Sequence, residues 1–261
     1  MGVKGLFRFI GQYFKINLQS AMEYRVSFFT QAGFMFLNDI VWVIFWVIFF
    51  NKFPAINNWG FRDLMVLYTV ITTAWGLAGV FFGNFRYLAE VIKEGQLDFY
   101  LTLPKEELTH ILISKSKFDA FGDLLFGIIL GIVFIPLNLI PLAIILIILS
   151  ALILLAFAII LGSLSFYIGS AVEIANQGTM GVLSIGSYPF SAFQGYSRFI
   201  LLTIIPAGFI TGVPVELIKN FNWGWFSLMI IACIVLWAVA LIIFKKGVKR
   251  YESGNLINVR V

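Results

Sequence analysis

The sequence contains very few of the residues that usually carry metal and thiol chemistry. Its 261 residues include a single cysteine, Cys233, and a single histidine, His110. One cysteine cannot form an intrachain disulfide, and neither residue has a second Cys or His with which to share a metal ion. The sequence therefore predicts no metal site and no thiol chemistry.

Charged residues are also scarce, at 12% of the chain, whereas hydrophobic residues make up 61%. Residues 26–50 form an apolar block with one ionisable side chain, Asp39. A bilayer core about 30 Å thick needs roughly 20 apolar residues of helix to cross it. The composition thus predicts an all-α membrane protein with one transmembrane domain over residues 1–261, and a lipid bilayer rather than nucleic acid as its surroundings.

Apolar blocks bounded by charged or turn residues predict six transmembrane helices. They are residues 26–50, 64–85, 111–135, 142–170, 178–193 and 225–244. After the fifth span, prolines and glycines interrupt the apolar sequence, so we predict two half-helices, 199–205 and 209–219, bent at residues 206–208. Broken backbone is tolerated at membrane depth only beside protein or water, which favours an outer re-entrant hairpin over residues 196–219.

The basic residues predict the orientation of the chain in the membrane. If both termini are cytoplasmic, fourteen of the eighteen Lys and Arg residues lie on the inner side. Four remain outside: Lys52, Arg62, Arg198 and Lys219. This positive-inside bias also supports an even number of spans and a cytoplasmic tail over residues 245–261.

Residues 1–25 predict an amphipathic helix rather than a span. Lys4, Arg8 and Lys15 recur on one face, and aromatic and aliphatic residues cover the others. The helix either lies in the inner membrane interface or packs on protein, and the pattern does not decide between the two. Because charges interleave the first apolar residues, we expect no cleavable signal peptide.

A cytoplasmic connector, residues 86–110, separates the second span from the third. Charged residues line one side of its short helical stretch and apolar residues line the other. Gly95 stands where a left-handed cap would end that helix. A compact element of this kind could insert into a cleft of a partner protein. An ordinary interfacial loop is the simpler explanation of this segment alone.

Two stretches carry a resemblance to a known family. The first is Glu94-Gly95-Gln96-Leu97-Asp98, with Leu101 and Pro104 following, and the second runs from Tyr188-Pro189-Phe190 through Arg198 to Ile205-Pro206-Ala207-Gly208 and Val213-Pro214. With the order of spans, they resemble the integral-membrane permease subunits of type-2 ABC exporters. They look like a prokaryotic branch of that family in which small permeases pair with each other.

The resemblance implies partners and roles. Separate ATP-binding subunits would contact the amino-terminal helix and the connector, and two permease halves, identical or related, would form the pathway at their interface in a prokaryotic cytoplasmic membrane. Residues implied in coupling are Arg86, Glu90, Glu94, Gly95, Leu97, Asp98, Leu101 and Pro104. Residues implied in an outer gate are Pro189, Arg198, Pro206, Gly208 and Pro214.

The chain has no phosphate-binding loop of the form G-x-x-x-x-G-K-[ST]. If ATP drives transport, then ATP and Mg²⁺ must bind to another polypeptide, so we predict a transport subunit for hydrophobic or amphiphilic cargo without an enzymatic site or cofactor of its own. A membrane enzyme or assembly factor is the least favoured alternative, because no catalytic set of residues is evident.

Three carboxylates are the candidate pathway residues: Asp39, Asp119 and Asp123. A carboxylate at membrane depth should face the bundle interior or water. Asp39 could instead make a structural hydrogen bond, and Lys115 could pair with Asp119 at the i,i+4 spacing and leave only Asp123 deep. A transporter driven by an ion gradient through Asp39 and Asp123 is the alternative function.

Aromatic and small residues complete the pattern. The aromatic residues near span ends are predicted interfacial anchors: Trp59, Tyr68, Trp223 and Trp225. Three glycine pairs at i,i+4 spacing allow close helix contacts, namely Gly79/Gly83, Gly127/Gly131 and Gly208/Gly212. Contacts within one subunit and contacts between two subunits explain these pairs equally well.

Overall fold

The fold was analysed in a computed structural model that describes residues 3–251. Within this range the chain is helical, apart from one β-bridge between Ile56 and Trp59. The α-helices are α1 (Val3–Glu23), α2 (Arg25–Lys52), α3 (Phe61–Phe82), α4 (Leu88–Lys93), α5 (Leu97–Leu101), α6 (Glu107–Ile113), α7 (Asp119–Phe134), α8 (Ile140–Ser163), α9 (Val172–Gly186), α10 (Tyr196–Thr203), α11 (Val213–Lys219) and α12 (Trp223–Val248). The predicted all-α class is confirmed.

Four helical segments of the described chain are long and apolar enough to cross a membrane: Arg25–Lys52, Phe61–Lys93, Leu137–Phe166 and Trp223–Val248. They correspond to the first, second, fourth and sixth predicted spans. The bent pair formed by α10 and the segment Gly208–Lys219 would make a fifth. A multi-pass membrane protein is confirmed, whereas the predicted number of six spans is not.

The third predicted span, residues 111–135, is interrupted in the structure. Residues 111–113 belong to α6, and the continuous helix α7 begins only at Asp119. The end of α3 holds the intervening segment in a non-helical conformation, because the Lys117 amide donates to the Gly79 carbonyl at 3.0 Å and the Ser116 hydroxyl donates to the Val80 carbonyl at 2.6 Å. These contacts leave α7 with 16 residues.

The fifth predicted span, residues 178–193, is shifted toward the amino terminus. The helix α9 covers Val172–Gly186, so it includes Glu173 and Gln177, which precede the predicted span. The Gln177 side chain donates to Glu173 at 2.8 Å, one turn earlier on the helix surface. The helix ends before Pro189, because a proline disfavours helical backbone in the preceding residue and cannot continue the hydrogen-bond ladder.

The helix α3 is the central element of the bundle. In the apolar stretch of the segment Phe61–Lys93, 89% of the residues are buried. The corresponding share for α2 is 11%. Small residues let α7 approach α3 closely. A Cβ at Gly76 would lie 2.6 Å from the Leu124 backbone nitrogen, and a Cβ at Gly127 would collide with the Thr73 side chain. The predicted glycine contacts at this interface are thus contacts within one chain.

The predicted break in the outer segment is present. Helices α10 and α11 are joined by a π-helical turn, Gly208–Gly212, and the two arms are bent by 84°. Gly208 and Gly212 lie against the Phe190 ring, where a Cβ would be too close. Pro214 falls in the first turn of α11, where proline is tolerated, so it does not interrupt the helix.

Candidate functional site

A cavity of about 360 Å³ lies among α2, α3, α7 and α9. Its walls are largely aromatic and aliphatic, with a few polar groups. The residues that line it are Met35, Asn38, Asp39, Trp42, Tyr68, Ile71, Thr72, Trp75, Asp123, Met180, Leu183, Ser184, Ser187 and Tyr188. A volume of this size suits a small organic molecule.

Two of the three candidate pathway carboxylates meet in this cavity. Asp39 on α2 and Asp123 on α7 are 4% and 3% exposed, and both side chains line the same cavity. The Oδ2 atom of each is buried without a hydrogen-bond partner in the described part of the chain. Asp119 lies apart, 3.9 Å from the Arg86 guanidinium at the inner end of α7.

The suggested pairing of Lys115 with Asp119 does not occur. Because residues 114–118 are not helical, the i,i+4 spacing brings no contact, and the Lys115 ammonium instead lies 5.8 Å from the centre of the Tyr87 ring. Lys117 also contacts Tyr87, through a hydrogen bond to its hydroxyl. Asp119 therefore pairs with Arg86 at the start of α7, and only Asp39 and Asp123 line the cavity.

Aromatic residues of α3 form much of the cavity wall, and sequence reasoning missed them. Tyr68 is 3% exposed and accepts a 3.0 Å hydrogen bond from the Trp46 indole. Its predicted role as an interfacial anchor is wrong, because α3 is surrounded by other helices at this level. Trp75 lies one turn beyond Ile71 on the same wall. The Arg86 guanidinium lies 5.3 Å from the centre of the Trp75 ring.

The cavity opens to the surface between α2 and α9. Asn38 and Trp42 on the α2 side are exposed, as are Ser184 and Tyr188 on the α9 side. The carboxyl pair lies in the buried part of the cavity, and the exposed residues lie at its mouth. A molecule could therefore enter from the face that α2 and α9 share.

The connector presents a small exposed surface. Gly95 has the left-handed backbone predicted for the cap of α4, with φ of +75°. Among the predicted coupling residues, Leu97 is fully buried, whereas Glu94, Leu101 and Pro104 are exposed. Arg86, Glu90 and Asp98 are partly exposed. The exposed apolar side chains of α5 are Phe99, at 64%, and Leu101, at 42%.

The amino-terminal helix packs on the connector through one face. The Tyr13 hydroxyl hydrogen-bonds the Nε2 atom of His110 on α6, and the Asn17 side chain donates to the Ile113 carbonyl at 3.1 Å. On another face, Phe7 and Ile16 are 70% and 58% exposed. Of the two alternatives for this helix, packing on protein therefore holds for the Tyr13 face.

Burial lowers the pKa of His110 below its usual value. Because burial disfavours the charged ring, we expect the docking of α1 to be strongest above about pH 6.5, the value for a free histidine. As the pH falls through the lower pKa of the docked state, the undocked state binds the proton more tightly and docking weakens. Amide hydrogen exchange in α1, corrected for its intrinsic pH dependence, should report this loss.

The matched variants are His110→Phe, which keeps an aromatic ring, and Tyr13→Phe, which removes only the hydroxyl. The first should abolish the pH dependence of exchange. The second should cost about 0.5–1.5 kcal/mol of docking free energy at neutral pH. An unchanged pH dependence in His110→Phe would contradict the assignment.

On the predicted outer side, α11 is attached to the loop before α3. The Trp59 indole, which is 1% exposed, donates to the Glu216 carboxylate at 2.8 Å. The Lys219 ammonium lies 3.0 Å from the Asp63 carboxylate. Trp59 is therefore buried rather than an interfacial anchor as predicted, while Trp223 is 72% exposed. These contacts hold the bent segment against the end of α3.

Arg198, a predicted gate residue, lies on α10. Its guanidinium stands 4.7 Å from the Phe190 ring centre and 5.9 Å from that of Trp225. These cation–π contacts link α10 to the turn after α9 and to the start of α12. Pro189 precedes that turn, and Pro206 lies in the break between α10 and the π-helical turn. Of the predicted gate residues, Arg198 and Gly208 thus both lie against the Phe190 ring.

The two contacts of α11 should differ in strength. Replacing Trp59 with Phe leaves the partly buried Glu216 carboxylate without its donor and should cost about 1.5–3 kcal/mol. Replacing Lys219 with Met removes a partly exposed ion pair and should cost about 0–1 kcal/mol. Hydrogen exchange over residues 196–219 should therefore rise more in Trp59→Phe. The reverse order would show that the ion pair is the main attachment.

Comparison with known proteins identifies the chain's relatives. A family model described as ABC-2 family transporter protein matches residues 36–254. No curated protein and no solved structure gave a significant match. The matched segment includes the carboxyl pair, the connector and the bent outer segment. The chain is therefore a membrane component of a transporter and belongs to the ABC-2 transporter family.

Proposed function

We propose that the chain is the permease half of an ATP-driven exporter, which moves hydrophobic or amphiphilic cargo across the cytoplasmic membrane of a prokaryote. The observation that carries this proposal is the cavity that opens between α2 and α9. Its mouth consists of exposed residues, so a second permease half facing it would complete the enclosure. Alternating access at that interface would then expose the cavity to each side of the membrane in turn.

Energy would enter through the connector. The exposed Phe99 and Leu101 side chains offer an apolar contact to a separate ATP-binding subunit, which would hold ATP and Mg²⁺. The connector is rigidly joined to the bundle, because the buried Asn84 side chain donates to the Ile111 carbonyl at 3.0 Å and to the Ser114 hydroxyl at 2.9 Å. A displacement of α5 and α6 would thus move the start of α7, the helix that carries Asp123.

The bent outer segment would close the pathway. Its 84° bend changes the direction of the chain by nearly a right angle, and its contacts with Trp59 and Phe190 hold it against the ends of α3 and α9. Such a segment can separate a cavity from the exterior without crossing the membrane. Pro189, Arg198, Pro206, Gly208 and Pro214 are the residues that we assign to this outer gate.

Co-purification of the chain in mild detergent tests the proposal. Mass spectrometry should find an ATP-binding subunit and a second permease, identical or related, in the same particle. The burial of Asp39 and Asp123 beside each other favours one other candidate, a transporter driven by an ion gradient. A chain that purifies without any ATP-binding subunit and still moves protons in vesicles would overturn the proposal in favour of that candidate.

A further inference from the structure

We propose that the cavity binds an amphiphilic organic cation, whose positive group lies between Asp39 and Asp123. This inference rests on the proposed function and names the class of cargo. It starts from two carboxyl groups, 4% and 3% exposed, on neighbouring helices in the buried part of an open cavity. Each has one oxygen without a hydrogen-bond partner in the described residues. These oxygens are the unused acceptors of the site.

The surrounding charges favour a positive ligand. Two carboxylates held side by side at low dielectric repel each other when both are ionised. The other charged groups near Asp123 are Asp119 and Arg86, which lie 3.9 Å from each other and balance in charge. When ionised, the pair would therefore give the cavity a local excess of negative charge, which a cation would relieve.

The walls decide which kind of cation fits. Within residues 3–251, no group of three or more His, Cys, Asp or Glu side chains could hold a metal ion. Two carboxylates alone supply few of the oxygen ligands that a hard metal cation requires. Much of the remaining wall is provided by aromatic side chains, which attract organic cations through their ring faces, and by polarisable thioether side chains. They are Trp42, Tyr68, Trp75, Tyr188, Met35 and Met180.

The size and the opening of the cavity suit a cation that is attached to an apolar body. The cavity volume of about 360 Å³ is larger than a simple ammonium ion would fill and matches that of a small organic molecule. Trp42 and Tyr188 at the mouth are 41% and 49% exposed, so an apolar tail could extend past them. A proton could also neutralise the carboxyl pair, but it would leave the aromatic walls without a ligand.

Two matched fluorescent probes test the inference on the full chain in lipid nanodiscs. The dimethylaminostyryl-N-methylpyridinium cation and its neutral parent, dimethylaminostyryl-pyridine, differ by one methyl group and one charge. At a pH at which the parent is unprotonated, we expect the cation to bind at least about ten-fold more tightly. Equal affinity for the two probes would overturn the inference, and this comparison requires no variant.

The variants Asp39→Asn and Asp123→Asn keep the shape of the side chain and remove its charge. Each should weaken binding of the cation by about ten-fold and leave the affinity for the neutral parent unchanged. Glu173→Gln is the matched control. It removes an exposed carboxylate from α9, a helix that lines the cavity through other residues. A loss of cation binding in Glu173→Gln equal to that in Asp39→Asn would show a non-specific surface effect and overturn the site.

The same preparations separate this inference from the proposed function. A chain that co-purifies with an ATP-binding subunit but binds both probes equally would overturn the class of cargo and leave the exporter. A chain that binds the cation selectively but never associates with an ATP-binding subunit would retain the site and overturn the exporter.

Discussion

Placing aspartates at Phe99 and Leu101 should release the ATP-binding subunits from the chain. Both side chains are exposed on α5, so the change should leave the fold intact. At an interface each new carboxylate would lose its hydration without gaining a partner, which costs several kcal/mol. We expect co-purification of the ATP-binding subunit and ATP-driven transport to fall by more than about ten-fold.

Leu97 is also among the coupling residues that the resemblance implies. It is fully buried, so a charge there would disrupt the connector itself and give no information about the partner. The matched control is Phe99→Leu combined with Leu101→Phe, which keeps the surface apolar. If the aspartate variant still binds its ATP-binding subunit as well as this control does, the connector is not the coupling surface.

Replacing Gly76 with Leu should force α3 and α7 apart and destabilise the bundle. A Cβ at this position would lie 2.6 Å from the Leu124 nitrogen and 2.7 Å from its Cα atom. Both are backbone atoms, so the whole helix must move. Overpacking of this kind costs about 1–3 kcal/mol or more. The variant should show a lowered Tm and a smaller fraction of monodisperse protein in detergent.

Gly33 on α2 provides the control for this change. No atom lies within 4 Å of a Cβ placed there, so Gly33→Leu should insert and purify like the wild type. Leucine is also a better helix former than glycine. If Gly33→Leu and Gly76→Leu have the same Tm, close contact between α3 and α7 does not limit the stability of the bundle.

The membrane character and four of the spans could be predicted from the sequence, because long apolar blocks depend only on local composition. The third span could not. Its interruption depends on hydrogen bonds from Ser116 and Lys117 to carbonyl groups at the end of α3, about 36 residues earlier in the chain. The start of the fifth span was misplaced because Glu173 and Gln177 are polar and do not continue the apolar block. In the structure they lie on the exposed face of α9.

The candidate site was only partly predictable. Ionisable residues in apolar blocks single out Asp39 and Asp123, but their meeting depends on the packing of α2 against α7. Tyr68 looked like an interfacial residue because it follows charged residues closely in the sequence. Its burial results from the central position of α3, which no local pattern reveals. The attachment of Trp59 to Glu216 joins residues 157 positions apart and leaves no trace in the local sequence.

We expect a separate ATP-binding subunit to drive transport through this permease. The most direct test is to reconstitute the purified complex in vesicles and to measure the movement of fluorescent hydrophobic probes, both cationic and neutral. We expect movement with ATP and Mg²⁺, and none with a non-hydrolysable ATP analogue. Movement that follows an imposed proton gradient and does not depend on ATP hydrolysis would show that the ATP-binding subunit does not drive transport.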